Sequence, residues 1–480
     1  MEKKKLKHFI LLITGLCFLF FSCEKENNSE PDPDAPRQPV SGDTLKVNTF
    51  IYEYTKELYL WTSTVDWSKQ EPQYEPNPFD FFDKLVYTKE DRWSMLTDDA
   101  QGFYNILDGI STSFGYELIW GHFSDHPSRF AIVLYVYPNS PAEKAGLKRG
   151  DFLVSINGLE DITDDNYMEF YNAPSIVVGK AILTDTGMAL DDLVSMTAVS
   201  MYEDPVVMDT VIVKGMHKIG YLFYTSYTLE SANRLLEVFA DFKANGVSDV
   251  VLDLRYNGGG YADVSCLLSS ILAPNSVVKQ KSVFLTQTWN DFCMAEFAKD
   301  GDDMNEYFMD DLSVNMDLSR LYVLTMEYSA SASEATIIGL KPYMNVTQIG
   351  EPTHGKYYGG GLIQPMVYDR ANGWIVDKQL DNWLMYLMVY RYADKNGDVS
   401  FSGGLVPDID AEEDYFPLYP LGDERDPLFG KAVEMITGVS SVKTRSLPVP
   451  FPYTIDAAKL RSPLNGKMIH TGEMPVRIGK

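Results

Sequence analysis

The chain is poor in cysteine, poor in histidine and short of positive charge. Four cysteines in 480 residues cannot supply the disulfide framework that staples small secreted domains. The six histidines are scattered, and neither an HExxH nor a CxxC pairing occurs, which argues against a zinc enzyme; no metal and no cofactor is expected. A Walker lysine pattern and a GxGxxG fingerprint are both missing, so the common nucleotide-binding folds lose their support. The net charge of −27 has the wrong sign for a nucleic-acid partner, whose phosphates demand lysine and arginine. What is present is globular material. With 45% hydrophobic, 13% aromatic and 23% charged residues the chain can bury a large core, and its length predicts about two to four domains.

The first residues do carry positive charge. Lys3, Lys4, Lys5 and Lys7 precede an apolar run of about a dozen residues, too short to span a bilayer comfortably and placed as an export signal over 1–22. The run ends in Leu19-Phe20-Phe21-Ser22-Cys23, which resembles a bacterial lipobox. That resemblance implies lipidation of Cys23, an exported lipoprotein of the cell envelope, and a membrane partner held through acyl chains. Residues 23–45, with Pro31, Pro33, Pro36 and Pro39, read as the acylated cysteine and a semi-extended tether. Cys266 and Cys293 remain in the body of the protein; a disulfide between them and a pair of core thiols are both open.

From 46 to 108 the pattern is helical. Val47, Phe50, Ile51, Tyr54, Leu58 and Trp61 recur at helical spacing, and the aromatic residues on this stripe read as core. Residues 109–203 change character: a β-rich run from Phe130 leads into Ser140-Pro141-Ala142, then Gly146-Leu147, Gly150-Asp151 and a second strand ending at Gly158. This segment resembles a PDZ domain of the permuted bacterial type. A PDZ groove adds a peptide tail as a strand to an open sheet edge and captures its carboxylate on backbone N–H groups. The resemblance places that loop at Phe114, Gly115 and Tyr116.

The chemistry lies in 204–440. A buried-strand pattern, Asp249 to Arg255, runs into Tyr256-Asn257-Gly258-Gly259-Gly260 and then a helix, a turn where backbone N–H groups can approach an anion. A second buried strand, Leu321 to Thr325, is followed by Ser329-Ala330-Ser331-Ala332-Ser333-Glu334. Ser331-x-x-Glu334 fits a capping box, and a serine at a helix start can also serve as nucleophile beside the positive end of the helix. Gly350 to Lys356 then supplies a lysine that burial could hold neutral as a general base.

These motifs in this order, behind a PDZ segment, resemble the C-terminal processing (tail-specific) serine peptidase family over roughly 109–438. The resemblance implies an α/β fold: a crotonase-like serine protease core with a β-rich PDZ domain and a small helical N-terminal domain, followed by a C-terminal extension, 441–480. It implies a Ser331/Lys356 dyad acting through an acyl-enzyme, with the N–H groups of Ala332 and Gly259 as the oxyanion hole and Gly260 close behind. Protein or peptide substrates are the expected partners. Where many members orient the lysine with a glutamine four residues on, this chain has Gly360, and Gln364 is the nearest candidate. His354 competes as a base, with no orienting aspartate nearby in sequence. A second function stays open: a catalytically inactive PDZ-type receptor for protein tails.

Overall fold

The computed structural model describes residues 37–124, 126–397, 401–440, 449, 451–456 and 467–470. The export signal and Cys23 lie outside the described residues. Val40–Lys480 forms one unit and Met1–Pro39 another.

The apolar stripe of the N-terminal region becomes the helix Gly42–Leu58, burying Val47, Phe50, Ile51, Tyr54 and Leu58. It starts four residues inside the segment read as tether, where Asp43 in the first turn complements the positive helix end. Helices Pro78–Leu85 and Ala100–Leu107 follow, capped by the side chains of Asn77 and Asp99. The region is not purely helical. Met95–Thr97 pairs antiparallel with Leu384–Tyr386, so the N-terminal residues add a strand to the catalytic part.

In the PDZ segment, strands Tyr116–Phe123, Arg129–Val136, Phe152–Ile156, Ser175–Thr184 and Gly187–Thr197 form an antiparallel sheet in chain order. Ser140 caps the short helix Pro141–Lys144 by accepting the Glu143 N–H at 3.1 Å. The sheet keeps its own core, with Leu118, Val133, Leu153, Phe170 and Val178 buried together.

The remaining residues build two further large sheets. In the first, Ile409–Asp410, Asn345–Gly350, Arg320–Thr325, Asp249–Asp253 and His217–Tyr224 run parallel, and Val206–Lys214 closes the edge antiparallel. Asp249–Asp253 is buried throughout, as a parallel strand covered on both faces must be. Alternate residues serve two cores: Val250 and Leu252 pack in the cluster that holds Leu268 and Ile337, while Val251 packs with Leu428 and Phe429. The second sheet runs Gly259–Tyr261, Lys467–His470, Tyr358–Ile363, Leu384–Ala393, Val283–Trp289, Asn305–Tyr307. Cys266 and Cys293 are separate buried thiols.

Candidate active site

Asp249–Asp253 and Arg320–Thr325 are neighbouring parallel strands, with Asp253 opposite Leu324. Their carboxyl ends, where open α/β sheets bind ligands, therefore deliver the glycine turn and the serine run to one place. Asn257 joins them. Its carbonyl accepts the Ala330 N–H and the Ser333 hydroxyl, both at 3.0 Å, and its amide donates to the Tyr224 carbonyl at 3.0 Å.

These bonds separate the three serines. Ser329 donates its hydroxyl to the Leu254 carbonyl at 2.8 Å, and Ser333 donates to Asn257. The Ser331 hydroxyl is buried and has no hydrogen-bond partner among the described residues. Ser331 also sits at φ 61°, ψ −110°, a strained backbone for a residue with a Cβ, of the kind retained at functional sites. The expected capping box sets Ser331 against Glu334 at the helix start. The Ser331 N–H donates to Glu334 at 2.7 Å, while the Ser331 hydroxyl is not spent on the helix it precedes.

Glu334 does more than cap. One carboxylate oxygen accepts the N–H groups of Ser331 and Lys356, at 2.7 and 3.0 Å; the other accepts the Gly355 N–H and the Thr353 hydroxyl, at 2.7 and 2.6 Å. Burial pushes its carboxyl up to about 7, against the pull of these donors. The Tyr392 hydroxyl lies between the carbonyl oxygens of the same two residues, Ser331 and Lys356. Ser331 and Lys356 are thus pinned by one carboxylate and one phenol.

Lys356 is fully buried. Burial, reinforced by Lys467, holds its amine well below the ordinary lysine value, with Asp91 and Glu334 opposing. The amine donates to the Tyr386 hydroxyl at 3.2 Å and lies 5.3 Å from the centre of the Trp93 ring. Asp91 and Trp93 belong to the N-terminal region, to whose aromatics the sequence pattern assigned no function.

Gln364 does not orient the lysine. Its side chain accepts from the Tyr104 hydroxyl at 3.1 Å and donates to the Asp381 carbonyl at 3.0 Å. Tyr386 stands in the place expected of a glutamine. A Cβ on Gly360 would come within 2.3 Å of the Tyr386 ring, and one on Gly359 within 2.1 Å of Tyr390. The glycine run after Lys356 clears space for two tyrosines from the neighbouring strand. His354 packs edge-on against Trp93, and the unbonded Ser331 hydroxyl makes no contact with it that counts as a hydrogen bond.

The oxyanion expectation needs one change. Ala332 opens the helix Ala332–Leu340, and its N–H is among those a helix start leaves without an internal partner. The Gly259 N–H, however, donates to the Asn257 side chain at 2.9 Å, which commits it within the turn; Gly260, next in the turn, stands opposite Met468 in the sheet. Gly259 has φ 109°, and a Cβ there would sit 2.8 Å from Ser331 Cβ, so only glycine lets the turn pass so close to the serine.

Phe114 and Tyr116, expected in a carboxylate loop, are core side chains at 1% exposure. The Phe114 and Gly115 carbonyls accept the N–H groups of Ala142 and Tyr137, both at 2.9 Å, and the Tyr116 hydroxyl donates to the Phe170 carbonyl at 2.7 Å. Beneath the glycine turn, Arg255 bonds Asp253, Glu413 and Asp426, all buried; Arg149 of the PDZ segment bonds Glu413 as well. Two of the acids in this network, Glu413 and Asp426, come from a distant part of the chain. Among the described residues no cluster of histidine, cysteine and carboxylate side chains has the form of a metal site.

The profile of peptidase family S41 matches residues 218–411, that of the peptidase S41 N-terminal domain matches 46–95, and a PDZ-domain profile matches 132–167. The chain is 24% identical over 310 residues to the chloroplastic carboxyl-terminal-processing peptidase 2 of Arabidopsis thaliana, covering 60% of this chain and 53% of that one. It is 25% identical over 344 residues to the carboxy-terminal processing protease CtpB of Bacillus subtilis, covering 70% and 63%. The chain thus spans less than two thirds of the length of either relative. A crystal structure from Bacteroides fragilis, described as that of an S41 protease, superposes with a TM-score of 0.66 at 24% identity, over 82% of this chain and 97% of that one. The chain belongs to peptidase family S41, with that family's N-terminal domain, a PDZ domain and an α/β protease core.

Proposed function

We propose that this S41 family member is an exported, lipid-anchored serine endopeptidase that cleaves protein or peptide chains, selected through their C-terminal tails, by a Ser331/Lys356 dyad. The observation that carries the reading is the contrast among three adjacent serines: two hydroxyls are spent on backbone carbonyls and the Ser331 hydroxyl is not. It sits on the same carboxylate clamp as a buried lysine whose amine is held toward its neutral form.

In this mechanism the Ser331 oxygen attacks a peptide carbonyl while its proton passes to neutral Lys356. The carbonyl oxygen, now negative, is received by the N–H groups of Ala332 and Gly260. Lys356, as ammonium, gives the proton to the departing amine, leaving an ester on Ser331. Water attacks that ester with Lys356 again accepting the proton, which passes to the Ser331 oxygen as the acyl–oxygen bond breaks and the new carboxyl end leaves. Tyr386 orients the amine, and Trp93 keeps water from it. The receptor reading drew its motive from the altered segment after Lys356; Tyr386 now supplies the contact that this segment lacks.

The lipid anchor rests on the lipobox resemblance and Cys23. Its test is the partition of full-length protein between membrane and soluble fractions beside Cys23→Ala; a soluble wild type would remove it. Proteolysis is tested by incubating an unfolded protein with wild type, Ser331→Ala and Lys356→Ala. Fragments from wild type alone are expected. An inert wild type that still bound the unfolded chain would restore the receptor.

A further inference from the structure

Two short strands from beyond the last helix, Pro427–Thr437, fill the two edges where an extended peptide would be received. Lys467–His470 lies between Gly259–Tyr261 and Tyr358–Ile363 and runs parallel to both, with Lys467 opposite Gly259, Met468 opposite Gly260, and Ile469 opposite Tyr261 and Gly360. Tyr453–Asp456 lies antiparallel along the outer edge of Tyr116–Phe123 in the PDZ sheet, Asp456 opposite Trp120. A sheet edge without a partner presents a row of unpaired N–H and C=O groups, the feature by which peptides are captured as an added strand. Here the chain pairs both edges itself.

The strand at the catalytic edge reaches the reacting groups. The Lys467 carbonyl oxygen lies 2.7 Å from the point where a Gly259 Cβ would be, and Ser331 Cβ lies 2.8 Å from that same point. A backbone carbonyl of this chain is therefore presented at the glycine turn beside the serine. The Tyr386 hydroxyl donates to the Met468 carbonyl at 2.8 Å while accepting from Lys356 at 3.2 Å. Met468 and Ile469 are buried, at 1% and 0% exposure, so the cleft also holds their side chains. At the PDZ edge Asp456 accepts from Arg129 and pairs with His122, both at 2.7 Å.

We propose that the cleft between Gly259–Tyr261 and Tyr358–Ile363 is a binding site for an extended peptide strand with two successive apolar side chains, and that Lys467–His470 is its tethered occupant. The proposal rests on the reading of Ser331 as nucleophile for its catalytic consequence, but its binding content does not. A short tether presents its strand at an effective concentration of order millimolar, so a peptide in solution must compete with it. Substrate entry along this edge requires the segment to leave, and the same stretch of chain covers the PDZ edge that would deliver a tail.

The test uses full-length protein carrying Ser331→Ala, so that no probe is consumed and the outcome does not depend on proteolysis. The probe is a fluorescein-labelled peptide with the sequence of residues 463–472. Adding Met468→Asp, which disfavours the tethered strand in its buried position, is expected to tighten probe binding at least tenfold. Equal affinity in the two proteins, or binding by neither, overturns the proposal. Should Met468→Asp fail to fold, hydrogen exchange on Ser331→Ala alone decides. At millimolar unlabelled peptide, the amides of 467–470 are expected to exchange at least tenfold faster while those of 259–261 stay protected. Unchanged exchange of 467–470 would make that strand a permanent part of the sheet and overturn the proposal.

Discussion

Ser331 and Lys356 donate their backbone N–H groups to one and the same oxygen, on Glu334, at 2.7 and 3.0 Å. Glu334 also takes the Gly355 N–H and the Thr353 hydroxyl. Replacing the carboxylate by an amide of equal size turns an amide nitrogen toward donors that need an acceptor. Hydrogen bonds to a charged group are worth about 1.5–3 kcal/mol. Glu334→Gln is therefore expected to lower stability by about that amount in urea denaturation and, on the proposed mechanism, to reduce kcat/KM about tenfold or more by loosening Ser331 and Lys356 together.

In the proposed mechanism Lys356 must be neutral to accept a proton, and burial with Lys467 holds its amine below 10.5. Because the neutral form gains as pH rises, kcat/KM should climb with pH on a limb lying below the ordinary lysine range. Lys356→Arg should be inactive across the accessible range, since a guanidinium does not give up its proton. Stability follows the same sign. The folded state binds fewer protons than the unfolded one between the lowered value and 10.5, so folding stability rises with pH in that window. Lys356→Met should abolish that contribution to the slope, as read by denaturation at a series of pH values.

In the proposed mechanism the Tyr386 hydroxyl orients the lysine, a role that substitution can separate from the packing of its ring. Tyr386→Phe keeps the ring that packs over Gly360 and loses the bond to Lys356. About a tenfold fall in kcat is expected, with a displaced pH limb and little change in folding stability. Gly360→Ala places a methyl group 2.3 Å from that ring; it should lower both stability and activity.

Arg255 is the shared cation of three buried carboxylates, Asp253, Glu413 and Asp426. Removing one partner of a buried ion pair costs about 3–5 kcal/mol because the other charge is left uncompensated. Arg255→Met should lose at least that much in chemical denaturation. Arg149→Met, at the PDZ side of the same network, should lose less, because Glu413 keeps Arg255.

The PDZ turn, the buried strands, the glycine turn and the serine helix were legible because each is written locally. Ser140-Pro141 opens a helical turn, and a run of apolar residues ending at Asp253 is a parallel strand covered on both faces. The role of Ser331 over its neighbours rests on the family resemblance; the structure adds that its hydroxyl has no hydrogen-bond partner among the described residues. Gln364 failed as the orienting residue because distance along the chain is a poor guide within a sheet. The residue that meets Lys356 comes from the strand alongside, where Tyr386 stands opposite Leu362 and against Gly360.

By itself the sequence determined the order of domains, the strand-turn-helix units and the residue types of the site, since period, turn chemistry and capping act over a few residues. Tertiary structure alone decided the rest: Trp93 over the lysine, Tyr392 between two carbonyls, the commitment of the Gly259 N–H to Asn257, and Lys467–His470 paired beside Ser331. Such contacts join residues far apart in the chain. They depend on which strands become neighbours and which space a glycine leaves open, and an aromatic residue or a short apolar strand looks the same in sequence whether it fills a core or completes a site.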